Sequence, residues 1–173
     1  MSSDEVVIVP YDERWPALYE TAAFELREAL GEALVGIEHI GSTAVPGLAA
    51  KPIVDVAVGV DTLARGRALV DAVVGLGYEY VPEHEAELPF RRFFHRRPAG
   101  QVGYHVHLVE RAHEFWTAQV EFRDHLRAHP DDAAAYEALK RGLAERFRTE
   151  RRSYTDAKGD FVAAMLAKAR SRY

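Results

Sequence analysis

Asp55 is the first residue in this chain whose surroundings call for chemistry. It stands inside Ile53-Val54-Asp55-Val56-Ala57-Val58-Gly59-Val60, a run dense in β-branched residues. A carboxylate among Val and Ile is costly unless it is paired, protonated or bound to a metal. Upstream lies His39-Ile40-Gly41-Ser42-Thr43, then a segment carrying Pro46, Gly47, Lys51 and Pro52. A glycine lets a phosphate approach the backbone, and a hydroxyl with neighbouring amides can donate to it. Gly41, Ser42, Thr43 and Lys51 are therefore candidate phosphate-binding residues, with Asp55 as the candidate catalytic carboxylate. The plainer alternative pairs Asp55 with Lys51 or an arginine for packing alone.

His105-Val106-His107 is the second constellation. On a strand, residues two apart point the same way, so both imidazoles share a face. Asp55, His105 and His107 could together ligate Zn, Mn, Fe or Ni, which accept mixed nitrogen and oxygen donors. The alternative is two histidines hydrogen-bonded to Asp55, Glu110 or a phosphate oxygen. The run Phe90-Arg91-Arg92-Phe93-Phe94-His95-Arg96-Arg97 mixes aromatic and cationic side chains. It could stack a base and hold phosphate, with Arg92 as the candidate counter-charge, or it could be a charged edge strand. Lys158 is the last candidate. Thr155 and Asp156 are good cap residues, which puts Lys158 in the first turn of a final helix. The helix dipole disfavours a cation there, which hints at an anionic partner.

The elements that must position these residues follow from periodicity. Trp15, Leu18, Tyr19, Ala22, Leu26 and Leu30 predict a helix from Trp15 to Leu30, with Pro16 in its first turn and Gly31 after it. Leu34 to Ile40 reads as a strand, Ser42 to Pro52 as a loop, and Ile53 to Val60 as a central strand covered on both faces. A helix is expected from Leu63 to about Leu76, then strands at Tyr78 to Val81, Phe90 to His95 and Tyr104 to Val109. Helices follow over Glu114 to Ala128, from Asp131 onward through Tyr136, Leu139, Leu143 and Phe147, and from Thr155 to about Ala169. The Trp116 and Phe122 region reads as core. This order predicts an α+β fold, a mixed β-sheet flanked by helices with a helical C-terminal segment. No linker or repeat divides residues 1–173, so one domain is expected.

Composition narrows the function. The 173 residues are 48% hydrophobic and 28% charged, with a formal net charge of −5. That is ordinary for a globular protein and makes nucleic acid an unlikely partner. The absence of cysteine excludes disulfides, thiolate metal sites and a cysteine nucleophile. No apolar run is long enough for a membrane span, and the acidic start lacks the layout of a signal peptide. A cytoplasmic protein is expected. Residues 140–173 hold ten Lys or Arg and four Asp or Glu, a basic tail on an acidic body. Such a tail could bring cations to an anionic ligand.

The Gly-Ser turn followed by a strand carboxylate resembles the signature of the nucleotidyltransferase-like, or polymerase-β-like, superfamily. There, acidic residues two apart on the strand and a third from a nearby strand hold two divalent metals around a nucleoside triphosphate. That resemblance implies Mg or Mn as cofactor. This sequence departs from it at Ala57, which takes the same-face position of the second carboxylate. Glu38 or Glu110 would have to replace it. A longer resemblance is to the GrpB family, assigned to the same fold. It is carried by Val9-Pro10-Tyr11-Asp12, Trp15-Pro16 and the stretch from His39 to Asp55. His105 to Glu110, Phe122 to Arg127 and Tyr154 to Lys158 carry it further. The resemblance implies a nucleotide or other phosphorylated small molecule as partner, with metal-dependent nucleotidyl transfer as the candidate reaction. The alternative is a non-catalytic phosphate-binding or interaction module, and a metal-dependent hydrolase using the histidine pair is a third reading.

Overall fold

The computed structural model describes residues 5–171. Five strands form one sheet: β1 (Leu34–Ile40), β2 (Ile53–Val60), β3 (Glu79–Tyr80), β4 (Arg91–Arg96) and β5 (Gly103–Glu110). Their order is β1-β2-β5-β4-β3. β2 and β5 run parallel, and the other neighbours are antiparallel. The sheet is therefore mixed and the fold α+β, as the sequence predicts.

Strand alternation divides β2 between two layers. Val54, Val56, Val58 and Val60 pack with Val106, Leu108 and Phe94 against α1 (Trp15–Leu30). Ala57 belongs to the opposite face, clustered with Ile40, Val109 and Trp116 of α3 (Glu114–Ala128). Gly36 and Gly59 are register partners across β1 and β2. A Cβ on Gly59 would lie 2.9 Å from Trp116 Cζ3, and one on Gly36 3.1 Å from Trp116 Cη2. Bare backbone at these two positions lets α3 dock closely, and Trp116 is core as expected.

Two helices differ from the sequence reading. The stretch expected as one helix from Leu63 splits into a 3₁₀ turn, Leu63–Arg65, and α2 (Arg67–Val74). Gly66 separates them at φ +56, a left-handed value that favours glycine. After α4 (Pro130–Arg146), the final helix also divides, into α5 (Arg151–Asp156) and α6 (Gly159–Arg170). Thr155 and Asp156 therefore end a helix rather than cap one. The Lys158 N–H bonds the Thr155 carbonyl at 3.3 Å, a tight turn that interrupts the helical ladder. α6 is tied back by Arg170 to Glu121 of α3 and by Lys168 to Asp132 of α4, both at 2.7 Å. No helix among the described residues is long and apolar enough to cross a membrane.

Candidate functional site

Gly41 ends β1 beside Asp55, whose register partner is Ile40. Its φ is +73, and a Cβ there would lie 2.7 Å from Asp55 Oδ2. Only glycine fits both the backbone and the space. Ser42–Ala44 then form one 3₁₀ turn. The Ser42 side chain faces Tyr136 of α4 and hydrogen-bonds to it. Thr43 does not join the phosphate-facing set expected of it. It is 1% exposed, with its hydroxyl 2.9 Å from His39 Nε2 inside the fold. His39 stacks on Tyr19 of α1 at 4.7 Å. Burial pushes its pKa down to about 4, so this imidazole is neutral.

The loop after Ser42 is held by α3 and α4. Arg127 Nε donates to the Ala44 carbonyl at 2.8 Å. Glu137 accepts the Ala49 N–H at 3.0 Å, and the Lys140 ammonium donates to the Ala49 carbonyl. Both polar backbone atoms of one loop residue are thus clipped by one helix.

Asp55 and the two histidines meet as the strand geometry predicts. Asp55 Oδ1 lies 3.1 Å from His107 Nε2 and 3.3 Å from His105 Nδ1. Burial alone would raise the Asp55 carboxyl. The hydrogen bonds from His105 and His107 outweigh it and hold the group well below the usual carboxylate range. Burial lowers His107 against the opposing pull of Asp55. An anionic carboxylate flanked by imidazoles is the result.

Arg92 does not reach this site. It is paired with Leu108 in register, on the α1 side of the sheet, and contacts Glu85 at 3.1 Å and the Pro89 carbonyl at 3.0 Å. Alternation gives the site face to Arg91 and Phe93 instead. Arg91 Nη1 lies 3.2 Å from His107 Nδ1. Glu38 and Glu110, the two substitutes considered for a second carboxylate, are engaged elsewhere. Glu38 meets Arg123 at 2.6 Å, and Glu110 accepts the Leu63 N–H at 3.0 Å.

Three lysines gather beside Ser42 and Asp55. The ammonium groups of Lys51 and Lys158 lie 5.2 and 4.5 Å from the centre of the Tyr154 ring. That of Lys140 lies 5.0 Å from the Tyr136 ring. Burial, then Lys158, push Lys140 down to about 7. Burial, then Lys51, push Lys158 down to about 8. Burial also lowers Lys51, with Asp55 opposing. Among the described residues none of the three makes an ion pair with a carboxylate, although the chain carries 27 acidic residues.

The fold has known counterparts. The GrpB protein family model matches residues 5–168. The chain belongs to the GrpB family. A UPF0157 protein of Streptomyces coelicolor is 41% identical over 165 residues, covering 95% of this chain and 84% of the relative. The crystal structure of the conserved protein GrpB from Enterococcus faecalis superposes with a TM-score of 0.85 at 32% identity, covering 96% of this chain and 99% of that one. Terminal uridylyl transferase 4 from Trypanosoma brucei, solved with bound UTP, reaches 0.50 at 17% identity over 90% of this chain and 51% of its own. That likeness places the GrpB-family chain in the nucleotidyltransferase-like fold.

Of the residues singled out from sequence, the structure brings Gly41, Ser42, Lys51, Asp55, His105, His107 and Lys158 into one neighbourhood. Arg91, Tyr136, Lys140 and Tyr154 are not among those candidates, yet stand beside them. The available signal was the spacing of Tyr136 and Lys140, which stand i and i+4 on α4 and so share one face.

Proposed function

We propose that this GrpB-family protein binds the phosphate chain of a nucleotide, or of another phosphorylated small molecule, between the Ser42 turn and Lys51, Lys140 and Lys158. The observation that carries this reading is the gathering of three buried lysines, none of which forms a direct ion pair with a carboxylate among the described residues; Asp55 and Glu137 offset their charge only from a distance. Burying cations together is unfavourable, and an anion bridging them offsets that cost. Gly41 and Ser42 supply close backbone approach and a hydroxyl beside the same lysines. The fold shared with a transferase solved with UTP supports a nucleotide as the ligand class.

Nucleotidyl transfer is the reaction this fold suggests, with Asp55 as its carboxylate. Ala57 favours a second reading, binding without turnover. The same-face position beside Asp55 carries no acid, and Glu38 and Glu110 are committed to Arg123 and the Leu63 amide.

Calorimetry with ATP, GTP, CTP, UTP and pyrophosphate, in EDTA and in Mg²⁺, tests the proposal. Saturable binding of at least one is expected. Lys140→Met should weaken it roughly 10–100-fold, the equivalent of one charge-assisted hydrogen bond. Arg92→Ala should leave it unchanged. If no compound in the series binds, or the Lys140 variant binds as well as wild type, the phosphate reading is wrong. A turnover assay on the compound that binds separates transfer from simple capture.

A further inference from the structure

Resting on that reading of the pocket, we infer that Arg91 fixes His107 as a hydrogen-bond donor to Asp55. The Asp55–His105–His107 group is then a hydrogen-bonded carboxylate and not a metal centre. The fold and the residue types both invite the opposite conclusion. One ligand atom from each of Asp55, His105 and His107 falls within 4.8 Å of the others, close enough to surround an ion.

The polarity behind the imidazoles does not fit one. A ligating histidine gives the metal a lone pair from one ring nitrogen, and its other nitrogen donates its proton to a carboxylate, carbonyl or water. Behind His107 stands a guanidinium, with Arg91 Nη1 3.2 Å from Nδ1. Guanidinium has donors only and no acceptor. Nδ1 must therefore carry the lone pair, which leaves the proton on Nε2. Nε2 is the atom 3.1 Å from Asp55 Oδ1, so it donates there and has no lone pair for a metal.

His105 repeats the pattern. Its Nδ1 is 3.3 Å from the same Asp55 oxygen, and its buried Nε2 has no hydrogen-bond partner among the described residues. Neither histidine has the acceptor that metal ligation calls for. Arg91 is also held in place. Its guanidinium carbon lies 5.1 Å from the Phe93 ring and 6.0 Å from the Phe115 ring, and Nη2 is 3.4 Å from His84 Nδ1. A fixed positive charge beside His107 further disfavours a divalent ion. Any Mg²⁺ in the pocket would then enter with the phosphate ligand, as part of the substrate.

The experiment uses Co²⁺ as the probe, on the 173-residue protein stripped with chelator, read by visible absorption and calorimetry. Wild type should show no saturable Co²⁺ site. Arg91→Gln replaces the donor behind Nδ1 with an amide that can accept, and should raise Co²⁺ affinity about 10–100-fold. Nitrogen-15 NMR of the wild-type imidazoles should show His107 as the Nε2–H tautomer, a readout that does not depend on how the variant folds. One equivalent of Co²⁺ in wild type, abolished by His107→Ala, would overturn the inference, as would an Nδ1–H tautomer. An Arg91→Gln protein that gains no affinity would overturn the role given to Arg91. Loss of all phosphate-chain binding with the Nε2–H tautomer intact would defeat the phosphate reading and leave the assignment at His107 standing.

Discussion

Replacing Lys140 with methionine should stabilise the ligand-free protein while disabling it. Lys140 is 1% exposed, and burial pushes its pKa from the ordinary 10.5 down to about 7. Folding therefore releases a proton from this group. The resulting penalty is full below about pH 7 and is gone above the ordinary lysine value. At neutral pH it amounts to about 4 kcal/mol. Methionine keeps most of the buried stem and removes the charge. It also removes the hydrogen bond to the Ala49 carbonyl, a loss of about 1–2 kcal/mol. The net gain is roughly 2–3 kcal/mol, or roughly 4–12 °C in Tm for a chain of this size. Differential scanning fluorimetry and urea titration of the apo proteins measure it. The advantage of the variant should shrink by about 2–3 kcal/mol between about pH 6 and about pH 9, because above about pH 7 the folded protein has already released this proton while the unfolded chain still holds it, and that release costs less as pH rises. An apo variant that is several degrees less stable than wild type, or a gap that does not narrow with pH, would refute the claim that Lys140 is a cation strained by burial.

Other residues give independent checks. Gly41→Ala forces a Cβ to 2.7 Å from Asp55 Oδ2 in a left-handed backbone. It should cost at least about 1–2 kcal/mol by urea titration and displace the carboxylate, so that phosphate-chain binding is lost with it. His39 is held neutral down to about pH 4, against an ordinary 6.5. Its contribution is complete at neutral pH and is lost as pH falls from about 6.5 through 4, a swing of about 3 kcal/mol. His39→Gln should flatten that part of the stability–pH curve. An unchanged acid limb would show that another group sets it.

Strand residues were the legible part of the site because their geometry is local. Period two alone puts both histidines of His105-Val106-His107 on one face, and Asp55 is in register with His105 across the parallel β2–β5 pair. The turn at Gly41-Ser42 was legible for the same reason, since only a small residue without Cβ lets the chain pass Asp55. The same alternation rule was available for Arg91 and Arg92, yet it could not say which face carried the site until β4 was seated beside β5. Thr43 looked like a phosphate ligand by type and proximity in sequence. Its hydroxyl is instead taken by His39, and that pairing exists only because α1 brings Tyr19 under the imidazole.

The chain alone determined the strands, the glycine turn and the lone carboxylate with its two imidazoles, because each is set by torsions and spacing within a few residues. Tertiary structure decided that Lys140 reaches a loop residue 91 positions away, that a break between α5 and α6 turns Lys158 toward Tyr154, and that Arg91 stands behind His107. Those placements depend on how helices pack on a sheet. Packing is settled by the summed fit of many apolar contacts, and no short stretch of sequence encodes it.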